Sequence, residues 1–378
     1  MPYHKRIPLA TPTMHGDEMA YIQEAFDRNW IAPLGFNCDG FEAEMEAYLH
    51  DGAHGELNAL CLNAGTAALH LAVKLAGVKH GDVVLCSDMT FAATVNPVTY
   101  EGGRQVFIDS ERETWNMDPA ALEKAFEKYP DAKVVMLAHL YGTPAKMAEI
   151  TDICQCHNAI LIEDAAEALS SAYRGGKCGT FGKYNVLSFN GNKIITTSGG
   201  GMLLCDSEAA RKKALFWATQ AREPALWYQH NEIGYNYRMS NVVAGIGRGQ
   251  LKHLEEHRDL KETIYRRYEQ GLSDLPVTMN PYLADSKPNF WLSCMTVNEG
   301  VKVDPMDIIR KLSDMNVEAR PIWKPMHMQP VFEGYDFISA QDKPVGEDIF
   351  ARGLCLPSDI KMTEEEQNYV IDVIRSCF

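Results

Sequence analysis

The residue with the greatest chemical reach is Lys193, set in the run Ser188-Phe189-Asn190-Gly191-Asn192-Lys193-Ile194 and followed by a second glycine-rich turn, Ser198-Gly199-Gly200-Gly201. Glycine lets backbone approach a ligand closely, whereas an ordinary surface lysine has charged, helix-forming neighbours. An ammonium with a pKa near ~10.4 in water becomes nucleophilic when desolvated or placed beside another cation, and it can then hold an aldehyde as an imine. A solvated loop lysine is the alternative, and the residues upstream argue against it. Ala159-Ile160-Leu161-Ile162-Glu163-Asp164 is an apolar run of strand character ending in two acids. A parallel sheet would place those acids at its carboxyl edge, where ligands of open α/β folds bind. Asp164 could face a ring nitrogen there and keep it protonated, or it could cap a helix beginning at Ala165. Glu167 lies one turn on and could share the same pocket.

An anion cradle is available as well. Asn63-Ala64-Gly65-Thr66 opens a helical pattern with apolar residues at Leu69, Ala72, Val73 and Ala76, so unpaired N–H groups at Gly65 and Thr66 would face outward. Ser188 would add a hydroxyl. Phe91, beyond the apolar Val83-Val84-Leu85, could be a plate for an aromatic ring, although a phenylalanine there also reads as core. Amine, carboxylate, phosphate cradle and plate are together the parts of a site for pyridoxal 5'-phosphate, whose protonated ring serves as an electron sink.

In their order along the chain, Asn63-Ala64-Gly65-Thr66-Ala67, Asp88-Met89-Thr90-Phe91, Glu163-Asp164-Ala165-Ala166-Glu167, Ser188 to Lys193 and Gly234-Tyr235-Asn236-Tyr237-Arg238 resemble the DegT/DnrJ/StrS sugar aminotransferases. The resemblance runs from about Ile31 to Pro357. Within that group it is most similar to enzymes that aminate a UDP-linked 4-keto-6-deoxy-N-acetylhexosamine in the bacillosamine pathway, on the strength of Asn29-Trp30-Ile31-Ala32-Pro33-Leu34-Gly35 and Arg320-Pro321-Ile322-Trp323-Lys324-Pro325-Met326-His327. It implies a fold type I enzyme, a large domain with a mostly parallel sheet plus a smaller C-terminal α+β domain, working as a homodimer with shared active sites. Lys193 would form the imine and carry the proton, Asp164 would pair with the ring nitrogen, and Phe91 would stack on the ring. Gly65, Thr66 and Ser188 would hold the phosphate, with Asn236 reaching it from the partner subunit. Glu167 would lie near the ring's phenolic oxygen or the sugar, where relatives carry glutamine or histidine. Asn29, Trp30, Ile31, Ala32, Trp323, Lys324 and His327 would line the nucleotide-sugar channel, and Arg238 would touch the diphosphate. L-Glutamate would be the amino donor, and UDP-4-keto-6-deoxy-N-acetylglucosamine the acceptor. A 3-keto sugar or another nucleotide stays open, as does a silent sensor that binds cofactor or nucleotide sugar without turnover. A sensor would be expected to lack the lysine or its carboxylate. Related dehydratases replace the lysine with histidine, so Lys193 speaks against that reading.

The elements that must position these groups follow from periodicity. An amphipathic helix is expected over about 17–28, with Met19, Ile22 and Phe26 on one face. Apolar strands are expected over 83–86, 105–108, 134–138, 159–162, 186–189 and 202–205, with helical patterns separating the first five, the rhythm of a mostly parallel α/β sheet. A polar helix around 250–269 would bridge a large domain of residues 1–250 to a small one of 251–378. The last helix begins at Thr363, where Glu366 completes a capping box and Val370, Val373 and Ile374 form the buried stripe. A dinucleotide reading of Ser198 to Gly201 fails because an apolar strand, not a helix, follows the glycines.

Composition excludes other classes. The 378 residues carry 36 Lys and Arg against 51 Asp and Glu, a formal charge of −15, which argues against nucleic-acid or anionic-membrane partners. Ten scattered cysteines read as reduced, mostly buried thiols, and Cys154-Gln155-Cys156-His157 lacks zinc-pair spacing, so no metal is expected. Absence of a signal peptide or long apolar span points to a cytoplasmic enzyme.

Overall fold

The computed structural model describes residues 2–50 and 55–378. Helices α1 (Asp17–Asp27) and α2 (Phe36–His50) precede the first strand, β1 (Asn58–Leu62). Then α3 (Gly65–Leu75), β2 (Val83–Ser87), α4 (Ala92–Tyr100), β3 (Arg104–Ile108), α5 (Pro119–Lys128), β4 (Val134–Ala138), α6 (Met147–Cys156) and β5 (Ile160–Asp164) alternate. A hairpin of β6 (Ala172–Tyr173) and β7 (Gly176–Lys177) leads to β8 (Tyr184–Ser188), β9 (Gly201–Cys205), α7 (Glu208–Ala218) and α8 (Asn241–Leu251). Beyond the long α9 (Leu254–Gly271) come β10 (Val277–Met279), β11 (Ser286–Lys287), β12 (Cys294–Val297), α10 (Pro305–Asp314), β13 (Arg320–Pro321), β14 (Asp336–Ile338), α11 (Val345–Arg352), β15 (Gly353–Cys355) and α12 (Glu364–Arg375).

Eight strands form the main sheet in the order β1-β9-β8-β5-β4-β2-β3-β14. From β8 to β14 neighbours are parallel, while β9 runs antiparallel to both β8 and β1. The central strands bury both faces, which is why β4 reads Val134-Val135-Met136-Leu137-Ala138 without alternation. Val84, Cys86, Met136 and Ile162 join one core and Leu85, Val135, Leu137 and Leu161 the other, so the sheet lies between two apolar layers of helices. This is the α/β architecture of fold type I. Among the described residues no helix is long and apolar enough to cross a membrane.

Each of the six expected strands is present within about two residues, but two local expectations fail. No helix separates β5 from β8. Gly179 and Gly175 take left-handed backbone, as do Ser170 and Arg174, and the N–H groups of Gly179, Phe181 and Gly182 turn inward to the buried carboxylate of Glu163. A helix cannot form where its amides are spent on a side chain. The helix that might have begun at Ala165 is likewise absent. In α1 the expected apolar face points outward, with Met19 63% and Phe26 59% exposed. The buried face instead carries Ala25 and Glu18, whose carboxylate accepts from Gln250 and from the N–H groups of His15 and Gly16.

That inversion follows from α8. A Cβ on Gly249 would fall 2.7 Å from the Glu18 backbone, and one on Gly247 2.6 Å from the Phe41 ring. Glycines therefore let α8 lie directly against α1 and α2.

The smaller sheet, β10-β12-β15-β13, packs with α9, α10 and α12 around Tyr268, Leu312, Val370 and Ile374. The division expected between residues 250 and 251 is crossed both ways: Ile7 pairs beside Val317 and joins this smaller core, while β14 leaves it to pair with β3. In α12 the Thr363 and Glu366 capping box is complete, and Val370, Val373 and Ile374 are buried. Thr363→Ala should cost about 1 kcal/mol of stability, read as a lower melting temperature, and Thr363→Ser should restore most of it.

Candidate active site

The carboxyl ends of β5 and β8 and the start of α3 meet at a pocket of about 310 Å³. The chain leaves β1 and turns at Asn63, whose N–H donates to the Tyr237 carbonyl, straight into α3. Ala64 is the N-cap and has no side chain able to satisfy the helix's first amides, so those of Gly65 and Thr66 open on the pocket as an anion site. A Cβ on Gly65 would meet Ser188 Cβ at 3.1 Å and Oγ at 3.3 Å, and one on Gly201 would lie 2.4 Å from the Ala64 carbonyl carbon. The cradle is therefore shaped by absent side chains, with the Ser188 hydroxyl on its far side.

Asp164 ends β5 inside the pocket, 7% exposed. One oxygen accepts from Thr94 Oγ1 at 2.6 Å and the other from the Ala166 N–H at 3.0 Å, which orients the carboxylate without neutralising it. Burial raises its pKa, opposed by those bonds and by the charge of Lys193. Strand β5 is braced below by Glu163, which the His139 ring meets at 2.8 Å. Glu167 lies across from Asp164. Burial pushes its carboxyl up to about 7, against the pull of Lys193 and of the Tyr141 N–H, which donates to it at 2.7 Å.

Lys193 Nζ lies 3.6 Å from Glu167 Oε1 and 4.2 Å from the centroid of the Trp291 ring. Phe91, the N-cap of α4, is 59% exposed at the rim and meets Trp323 at a ring separation of 5.4 Å. Gly65, Thr66, Phe91, Asp164, Glu167, Ser188, Lys193 and Trp323 thus converge on one cavity.

The remaining expected residues lie elsewhere. Arg238 is buried and directed away, its guanidinium on Glu42 at 2.8 Å and the Cys61 carbonyl at 3.0 Å, so it is spent on tying α2 to β1 rather than open to a diphosphate. His327 is held by Asp88 through Nδ1 at 2.7 Å and by Glu347 through Nε2 at 3.2 Å. Burial opposes its charge, but these carboxylates raise its pKa. Lys324 is half-buried and, unlike Trp323, does not line the pocket. Asn29, Trp30, Ile31, Ala32 and Asn236 are exposed and do not line this chain's pocket.

Sequence reasoning missed Asn63, Asn190, Asn192, Thr94 and Trp291. Asn190 and Asn192 flank Lys193 and were within reach of that argument. Trp291 was not, because Phe290-Trp291-Leu292 reads as plain core.

The donor set fits pyridoxal phosphate: free amides and a hydroxyl for a phosphate, a buried carboxylate for a pyridinium nitrogen, an amine within the same cavity and an aromatic face beside it. Residues 12–375 match the DegT/DnrJ/EryC1/StrS aminotransferase family. The chain is 49% identical to EpsN of Bacillus subtilis (strain 168), whose name proposes a pyridoxal phosphate-dependent aminotransferase, over 99% of this chain and 96% of that one. It is 35% identical to GDP-perosamine synthase of Caulobacter vibrioides, over 97% and 96% of the two chains. The aminotransferase TlmJ of Streptoalloteichus hindustanus superposes with a TM-score of 0.88 at 26% identity, over 100% and 98%. The chain therefore belongs to the DegT/DnrJ/EryC1/StrS aminotransferase family, and its cofactor is pyridoxal phosphate.

Proposed function

We propose that the chain moves an amino group from L-glutamate to the ketone of a nucleotide-linked sugar, UDP-4-keto-6-deoxy-N-acetylglucosamine, giving the 4-amino sugar. The observation that carries this reading is the convergence of Lys193 Nζ, the Asp164 carboxylate and the open amides of α3 on one cavity. Bound there, pyridoxal phosphate supplies an electron sink that acidifies the hydrogen on the amino-bearing carbon. Lys193 Nζ would be the general base and acid for that proton, a contribution of about 10²–10⁴ in rate. Asp164, fixed by Thr94 and Ala166, holds a positive charge at the ring nitrogen. Gly65, Thr66 and Ser188 would hold the phosphate, Phe91 would stack on the ring, and Glu167 would lie near the ring's phenolic oxygen or the sugar. Supporting a nucleotide-sugar acceptor, relatives are named GDP-perosamine synthase and dTDP-4-dehydro-2,3,6-trideoxy-D-glucose 4-aminotransferase. The UDP-linked N-acetylhexosamine comes from the motifs around Asn29 to Gly35 and Arg320 to His327, of which Trp323 lines the pocket. The GDP name of one relative makes a GDP-linked 4-keto sugar the rival acceptor.

The working unit is read as a homodimer with shared sites. Trp30, Ile31, Leu34, Leu226, Trp227 and Ile233 are 45–100% exposed, an apolar surface that a second copy would cover. Asn236 is exposed, three residues beyond Ile233, and would complete the partner's phosphate site.

Four outcomes test these roles. L-Glutamate should shift the visible absorbance of the cofactor-loaded enzyme, and the UDP keto sugar should restore it; recovery only with a GDP-linked sugar would overturn the acceptor. Lys193→Ala should fold normally and lose steady-state transamination; retained turnover defeats the mechanism. Mixing inactive Lys193→Ala with Asn236→Asp subunits should regain about a quarter of wild-type activity if each site draws on both chains, since half the dimers are hybrids with one intact site; no regain argues for self-contained sites. For Glu167 the folded carboxyl titrates near 7 against an ordinary 4.5, so its stability contribution is full below about 4.5 and is lost as pH rises to 7. In cofactor-free protein Glu167→Gln should be close to wild type in stability near pH 5 and more stable at pH 8, by about 3 kcal/mol, read as a higher melting temperature. A variant less stable at pH 8 would mean that the Lys193 pair outweighs burial.

A further inference from the structure

Lys193 is held from behind by groups outside the main sheet. The two carbonyls that flank it each accept from a ring N–H: Asn192 from Trp291 Nε1 and Ile194 from His257 Nδ1, both at 2.7 Å. Trp291 makes a second contact, because its indole face lies 4.2 Å from Lys193 Nζ. The aromatic face is negative and attracts an ammonium, but it does not accept the proton as a carboxylate would.

Trp291 is itself rigidly seated. It is 2% exposed, and the preceding Phe290 adopts left-handed backbone at φ 52°, a costly conformation for a bulky residue, which swings the indole into the pocket. Its backbone N–H donates to Asn289 Oδ1 at 2.9 Å, and its backbone carbonyl accepts from the buried Lys261 Nζ at 3.0 Å. The Asn289 amide donates in turn to the Glu167 carbonyl at 2.7 Å. The two groups facing the lysine amine, Trp291 and Glu167, are therefore braced through one asparagine.

We propose that Trp291 is a positioning residue for Lys193: its ring face keeps the free amine in place as an ammonium between proton transfers, and its N–H fixes the peptide from which the lysine extends. This rests on the reading of Lys193 as the proton carrier. Without the ring, the ammonium keeps the attraction of Glu167, at 3.6 Å, and of the Asp164 carboxylate in the same cavity, and loses the aromatic face, one of the three groups that favour its charged form. The phosphate cradle and Asp164 do not touch Trp291, so cofactor capture is spared.

The test uses cofactor-free protein and its Trp291→Phe and Trp291→Leu variants. Trace acylation of Lys193 by acetic anhydride is followed by mass spectrometry across pH, with the half-point taken rather than the plateau, which also reports access. The half-point should fall in the order Trp, Phe, Leu, making Lys193 about fivefold more reactive in the leucine variant near pH 8 once scaled to the plateau. Phe and Leu exclude water alike, so a difference between them reports the aromatic face. In the loaded enzyme Trp291→Phe should lower kcat severalfold with KM for L-glutamate and affinity for pyridoxal phosphate unchanged. Coincident half-points for all three proteins, or a loss confined to cofactor affinity, would overturn the proposal. A Lys193→Ala enzyme that still turned over would defeat the proposed mechanism instead, and the acylation profiles would be unaffected by that result.

Discussion

One amine, Lys193, shares a cavity with two buried carboxylates, and the surrounding structure holds those charges in place. Asp164 and Glu167 are each less than a tenth exposed, and among the described residues lining the shared cavity Lys193 is the only cation. Burial raises both their pKa values, so the pocket carries an uncompensated demand for positive charge. On the proposed reading, a protonated ring nitrogen would meet that demand at Asp164. The site is thus tuned electrostatically to its cofactor before any shape argument is made, and the open helix terminus at Gly65 adds a complementary preference for the cofactor's anionic end.

Holding such a site takes supports that have no chemistry of their own. Glu163 gathers three loop amides and the His139 ring directly beneath Asp164. Thr94 bonds both Asp164 and Thr90, linking β5 to the loop after β2. The glycines of α8 bring α1 and α2 close, and the Arg238 and Glu42 pair fastens α2 to the end of β1, from which the phosphate helix departs. These are structural uses of residues whose types suggest catalysis or ligand binding.

The legible part of the sequence was the part governed by short-range rules. Apolar runs gave the central strands because both their faces are buried, and Gly65, Ser188 and Lys193 stood out through their neighbours. What was not legible depended on distant partners. Asp164 as a helix cap and Asp164 as a pocket carboxylate look alike until Thr94 is seen to bond it. Met19 and Phe26 follow helical periodicity, yet the glycines of α8 reward burial of Ala25 and the buried bonds of Glu18 instead. Arg238 lies in a motif near the site but spends its charge on Glu42, and Trp291 is indistinguishable from core until the turn at Phe290 is known.

Strand β14 carries a consequence for motion. It emerges from the smaller module and pairs in parallel with β3 from Asp336 to Ile338, covering what would be a bare sheet edge. The same pairing is a tether: Trp323 and Trp291 lie on the smaller module's side of the pocket, and swinging them away as a rigid cap would require peeling a strand from the main sheet. Substrate entry therefore falls to rim side chains and neighbouring loops, while the floor of the pocket keeps a fixed geometry through the catalytic cycle.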